Sequence, residues 1–131
     1  MTRALVMDGR KTPAAATRKT LRLAGFDAFG AVGSREALGA LEEGRPVRLA
    51  LVDWDLPGGE GRSFVRDVRG NRAHDHVWIL MVTAVLDTAE ILEAMRLGVD
   101  DCLIRPVTRE RLLEKLTRLP FAGATARRDS P

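Results

Sequence analysis

The chain has 131 residues, 45% of them hydrophobic and 30% charged, the size and make-up of one globular domain with a continuous core. Its single cysteine, Cys102, excludes an internal disulfide and fits a reducing cytoplasm, and no amino-terminal apolar segment reads as a secretion signal. The formal net charge of +3 comes from arginines spread along the whole chain with few aromatics, so it reads as a solvated surface with no direct nucleic-acid contact, and the longest apolar stretch, residues 77–82, is far too short to cross a membrane.

In chain order, a first apolar run over residues 4–7 ends at Asp8. Thr12 as a cap and Pro13 in the first turn then open a helix that Leu21 and Gly25 close. A second run, 28–32, leads to Ser34, which caps a helix carrying Ala37, Leu38 and Leu41 and ending near Gly44. The third run, 47–52, ends at Asp53 and is followed by Trp54-Asp55-Leu56-Pro57 and a glycine-rich turn. Phe64, Val65 and Val68 mark a third helix. The fourth run, 77–82, ends at Thr83, and Asp87 with Glu90 is a capping-box signature for a fourth helix with Ile91, Leu92 and Met95 inside and Gly98 at its end. The fifth run, 102–104, ends at Arg105. Thr108 caps a fifth helix whose Leu112, Leu113, Leu116 and Leu119 form one stripe. The domain is expected over residues 1–120, with 121–131 as a flexible tail or the start of a linker.

The runs are nearly continuous rather than alternating, the pattern of parallel strands covered on both faces. Strand and helix repeated five times, with right-handed crossovers, give an α/β, doubly wound five-stranded parallel sheet with five helices. In such sheets ligands bind outside the carboxyl ends of the strands. Those ends carry Asp8, Asp53, Thr83 and Arg105: two carboxylates, a hydroxyl and a fixed cation. One reading is a magnesium site with a carboxylate nucleophile, the hydroxyl and the cation holding phosphoryl oxygens. The other is a salt bridge from Arg105 to Asp8 or Asp53 that closes the sheet end without chemistry. Spacing alone leaves both open.

Five ordered blocks resemble a known family: Leu5-Val6-Met7-Asp8, Ala24-Gly25-Phe26, Asp53-Trp54-Asp55-Leu56-Pro57 with Gly61, Leu80-Met81-Val82-Thr83-Ala84, and Arg105-Pro106. Over residues 3–119 the chain is similar to the receiver domain of bacterial two-component response regulators, the flavodoxin-like (CheY-like) fold with strand order 2-1-3-4-5. The resemblance implies that Asp53 is the phosphoacceptor, Thr83 the switch hydroxyl and Arg105 the cation beside them. It implies Mg2+ held by Asp8, Asp53 and the backbone carbonyl of Asp55. It further implies a histidine kinase or phosphotransfer protein as donor, and output to a protein target through the face of helix 4, strand 5 and helix 5. Such a domain is no stand-alone turnover enzyme, acts in the cytoplasm without a membrane, and is a monomer or weak dimer.

The departures from that pattern carry expectations of their own. Gly9 stands where the family has a second acid that touches the metal, so magnesium binding should be weak. Arg105 replaces a lysine, and a planar guanidinium is not a compact ammonium. Cys102 replaces an aromatic that swings inward with the threonine, and Val85 removes a polar group that tunes phosphate lifetime. Two alternatives therefore stand beside a single-domain response regulator. One is a pseudo-receiver that keeps the fold without magnesium-dependent phosphorylation; the other is the amino-terminal receiver of a longer DNA-binding regulator.

Other features read more plainly. Arg10 and Lys11 are expected as surface charge, with positive charge near the lost ligand as the rival reading. His74-Asp75-His76 reads as a solvated loop, Cys102 as a small buried apolar residue, and Trp54 as packing at the sheet end. The segment Pro57-Gly58-Gly59-Glu60-Gly61 lacks the spacing of a phosphate-cradling loop and should turn the chain beside the site. Arg96, Arg109 and Arg111 are expected to give the output face a basic rim.

Overall fold

The computed structural model describes residues 1–121. Five strands alternate with five helices: β1 (Thr2–Met7), α1 (Lys11–Leu23), β2 (Phe26–Ala31), α2 (Ser34–Leu41), β3 (Val47–Asp53), α3 (Glu60–Arg69), β4 (Trp78–Thr83), α4 (Thr88–Leu97), β5 (Asp101–Ile104) and α5 (Arg109–Leu116). The strands are all parallel and lie in the order β2-β1-β3-β4-β5. Each strand's alternate residues feed opposite layers. Ala50 and Val52 of β3 pack with Phe64, Val65 and Val68 under α2, α3 and α4. Leu49 and Leu51 pack with Ala14, Leu21, Leu112 and Leu116 under α1 and α5. Burial on both sides is why these strands read as unbroken apolar runs.

Two of the expected caps are present. The Asp87 carboxylate accepts from the backbone N–H groups of Ala89 and Glu90, and the Thr108 hydroxyl from that of Arg111. Two are not. α1 starts earlier than Thr12, with Arg10 at its N-cap and no side-chain cap, and Pro13 lies within the first turn, where its missing N–H costs nothing. The N-cap of α2 is Gly33, not Ser34, and the open backbone N–H of Ser34 donates instead to Glu60 Oε1 of α3, 2.9 Å away. A cap supplied by another helix leaves no local sequence signature.

The apolar stripes are narrower than expected. On α4, Ala94 is buried while Leu92 is 50% exposed; on α5, Leu112 and Leu116 are buried and Leu113 faces outward. His74 is buried, against the solvated loop expected of it, because a 3₁₀ turn over Arg72–His74 tucks the ring inward, with Glu42 Oε2 4.0 Å from Nε2. His76 is exposed. Phe121, assigned from sequence to the tail, is buried, with the Arg48 guanidinium 4.5 Å from its ring centre; the rest of the tail lies outside the described residues.

Arg69 ties the far end of the sheet together. It donates to the carbonyls of Gly98 and Val77 and to Asp100 Oδ2, which also accepts from the Ile79 N–H. Gly98 permits this twice over: its φ of 125° suits glycine, and a Cβ there would collide with Arg69 Cγ.

Candidate functional site

The carboxyl edge of the sheet places the four predicted residues side by side. Asp53 and Thr83 are the last residues of β3 and β4, while Asp8 and Arg105 are the first past β1 and β5. Backbone pairing continues beyond the strands: Trp54 N–H donates to Val82 O at 2.8 Å, and Arg105 N–H to Thr83 O at 2.8 Å. Arg105 therefore leaves the sheet from a fixed point above Thr83. The Arg105–Pro106 peptide bond is cis. A 3₁₀ turn, Pro57–Gly59, carries the chain away beside the site and into α3, as expected of this segment. Gly61 makes that return possible, since a Cβ would lie 2.8 Å from the Asp53 carbonyl oxygen.

Arg105 sits at the centre. One terminal nitrogen, Nη2, lies 3.0 Å from Asp53 Oδ1 and 3.5 Å from Asp8 Oδ2, and Nε lies 3.7 Å from Asp55 Oδ2. The side chains of Asp8, Asp53 and Arg105 are each less than a tenth exposed. Both salt bridges that the sequence left open are thus made at once, by one guanidinium. Asp53 Oδ1 also accepts from the Asp55 N–H at 2.9 Å, and Asp8 Oδ1 from the Arg10 N–H at 2.9 Å.

The residue that sequence reasoning missed is the Asp55 side chain, since only its backbone carbonyl was expected to act. Its carboxylate accepts from the Thr83 hydroxyl at 3.1 Å and from the Ala84 N–H at 2.8 Å. Thr83 is therefore turned toward Asp55, and its oxygen accepts from the Val85 N–H at 3.2 Å. The available signal was proximity: Asp55 is a second acid two residues past Asp53, in the turn that its own N–H closes onto Asp53 Oδ1.

A magnesium ion with direct carboxylate ligands does not fit this donor set well. At Gly9, where an additional acid would stand, a Cβ would be 2.8 Å from Leu56 Cδ2, so the leucine fills that space. The carboxylates that remain are engaged by Arg105 and by backbone donors. Among the described residues no group of three His, Cys, Asp or Glu side chains is disposed to hold a metal ion.

Burial pushes the Asp8 carboxyl above its ordinary value of 3.8; the Arg10 N–H and the Arg105 charge oppose the shift, and Asp53 adds to it. For a raised carboxyl the native state binds its proton more tightly than the unfolded chain does. No stability is lost below pH 3.8; the loss grows as pH rises from there through the raised value and is complete above it. Asp8→Asn is therefore expected to be more stable than the native chain at pH 7, with the difference shrinking toward pH 3.8. Urea unfolding across that range checks it, and a less stable Asp8→Asn at pH 7 would show that pairing with Arg105 outweighs burial.

The remaining candidates are less central. Arg10 is exposed and borders, with Pro13, Ala16, Thr17, Ala84 and Arg105, a cavity of about 400 Å³ beside the site. Lys11 is exposed on the rim of a groove between α1 and β2. Trp54 is buried with Arg62 over its ring, 5.3 Å from the centre, which is a packing role. Cys102 is half-buried, and burial raises its thiol against the opposing charge of Lys115. Arg96, Arg109 and Arg111 are exposed on α4 and α5, but Glu93, Glu110 and Glu114 are exposed there too, so the rim carries both signs.

The chain as a whole is similar to known proteins. Residues 4–117 match the family described as the response regulator receiver domain. A CheY homolog of Campylobacter jejuni is 31% identical over 121 residues, covering 92% of this chain and 93% of that protein. The chemotaxis protein CheY of Pseudomonas aeruginosa is 31% identical over 116 residues, covering 88% and 93%. Among solved structures, the chemotaxis protein CheY4 of Vibrio cholerae superposes with a TM-score of 0.83 at 28% identity, covering 90% of this chain and 98% of that one.

Proposed function

The chain belongs to the response regulator receiver domain family, and from that membership we propose that it accepts a phosphoryl group on Asp53 and passes the signal on by protein contacts. Receivers of this family are signalling modules of two-component systems rather than turnover enzymes, and typically bind Mg2+ at the phosphorylation site. The observation that carries the reading is the buried Asp53 carboxylate: Oδ1 is fixed by Arg105 and the Asp55 N–H, while Oδ2 has no protein donor among the described residues. Oδ2 is the nucleophile. With a phosphohistidine donor, the Oδ2–P bond forms as the P–N bond breaks, and the imidazole keeps the electron pair and takes a proton from water. Arg105 holds both the attacking carboxylate and the charge that arrives.

The new charge acts through Thr83. Its hydroxyl is held by Asp55, and a phosphoryl oxygen on Asp53 is a competing, stronger acceptor. Moving the hydroxyl releases Asp55 and the Val85 N–H bond, at the start of the loop that leads into α4. That loop and helix expose Val85, Leu86 and Leu92, an apolar surface whose two arrangements the phosphoryl group would bias. The output face then runs over α4, the open edge of β5 and α5, where a groove of about 410 Å³ lies between Cys102, Ile104, Arg111 and Lys115. Charge reversal of Arg109 and Arg111 together leaves the exposed α5 positions Glu110 and Glu114 unbalanced, so it should weaken binding of an acidic target, by slower association, and reduce its salt dependence. Unchanged binding in a salt series would place the interface elsewhere, most simply on α1.

The second reading, a pseudo-receiver that signals without phosphorylation, is favoured by Gly9 under Leu56 and by Arg105 already bound to the acceptor. Intact mass after incubation with acetyl phosphate separates the two. One added phosphoryl group on the native chain and none on Asp53→Asn supports the receiver; none on either, with the cognate kinase as well, supports the pseudo-receiver.

A further inference from the structure

Asp8 after β1, and Asp53 and Asp55 at the end of β3, converge on one guanidinium. Nη2 of Arg105 bridges Asp53 and Asp8 with a single nitrogen, as an oxygen-seeking cation would. Nε is different. It is buried, has no hydrogen-bond partner among the described residues, and stops 3.7 Å from Asp55 Oδ2. A buried charged donor left open on the same guanidinium that holds the Asp53 carboxylate is a place for an incoming oxyanion. The space where a further acid would complete a metal site is filled by Leu56.

We propose that the Arg105 guanidinium takes the place of the divalent cation at this site, so that Asp53 accepts its phosphoryl group without bound metal and the free Nε–H donates to a phosphoryl oxygen. The inference rests on Asp53 being the acceptor, and the bonds made and broken are those given above. A fixed guanidinium needs no metal to be recruited and is always charged, whereas its planar fork holds the carboxylates in one geometry. A metal entering here would have to displace Arg105 from both Asp8 and Asp53.

The test uses the full chain and Mn2+ as probe, followed by the paramagnetic signal of the free ion, with the rate of phosphorylation by acetyl phosphate read by intact mass. The native protein should show no saturable Mn2+ binding up to about 1 mM. Its phosphorylation rate in EDTA should stay within about twofold of that in excess Mg2+. Gly9→Asp must move Leu56, so Gly9→Asp with Leu56→Ala serves as a second variant in case the first folds poorly. Adding Arg105→Lys to that pair should tighten Mn2+ at least about tenfold and make phosphorylation depend on metal. Saturable Mn2+ binding by the native chain below about 1 mM that Asp8→Asn abolishes would overturn the proposal. So would a fall of about tenfold or more in the native rate in EDTA. A chain that neither binds Mn2+ nor takes phosphate, but gains Mn2+ binding in the triple variant, would overturn Asp53 as acceptor while supporting Arg105 in the cation's place.

Discussion

Arg105→Ala should lower the folding stability by about 3 kcal/mol at neutral pH, because it strands two buried carboxylates. The side chains of Asp8 and Asp53 are 9% and 5% exposed, and Arg105 is the cation that touches both. Deleting it leaves like charges facing each other out of water, which costs far more than losing a surface ion pair. The loss should be partly repaired by Asp8→Asn in the same chain, since one stranded charge is then gone. Urea unfolding of the two single variants and the double gives the coupling directly. A loss below about 1 kcal/mol would put the pair in the class of solvated ion pairs. It would also remove the reason for treating the guanidinium as the organiser of the site.

Phe64→Ala should cost about 3–5 kcal/mol, a large share of the roughly 5–15 kcal/mol by which a domain of this kind is stable. Phe64 is fully buried and belongs to the cluster that contains Trp54, Leu56, Val65, Val68 and Met81. Two residues of that cluster lie in the segment that leaves Asp53: Trp54 follows it directly, and Leu56 fills the space beside Gly9. The cavity therefore opens directly behind the site, and slower phosphorylation should accompany the lost stability. Leu113→Ala is the matched control. Its side chain is 38% exposed, so the expected cost stays near the surface range of about 0.5 kcal/mol. Chemical denaturation of both variants checks the pair, and equal losses would mean that α5 packs through Leu113 as its sequence stripe suggested.

The sheet was legible because its strands are buried on both faces, which writes burial into short continuous runs. The strand ends were legible for the same reason: Asp53 and Thr83 interrupt those runs at the carboxyl edge. Strand boundaries slipped by one or two residues, as at Phe26, where β2 begins earlier than its unbroken apolar run. What could not be read were partners distant in sequence. Glu60 caps α2 from another helix, Arg69 reaches Gly98 and Asp100 across the sheet, and Leu56 fills the space above Gly9. The convergence of three carboxylates on Arg105 is of the same kind. Sequence offered Asp8 and Asp53 as its partners, but not both together, and it used Asp55 only through its carbonyl. The Asp87 and Thr108 caps succeeded because donor and acceptor lie within three residues.

The claim that joins these observations is that an oxygen of Asp53 is the atom that takes the phosphoryl group. Incubating the native chain with acetyl phosphate and then reducing it with borohydride converts an aspartyl phosphate to homoserine at the modified position. Peptide sequencing by tandem mass spectrometry then reads the position directly. Conversion is expected at Asp53 alone, with Asp8 and Asp55 unchanged. Conversion at Asp8 or Asp55, or at no residue after treatment that labels an ordinary receiver, would contradict it.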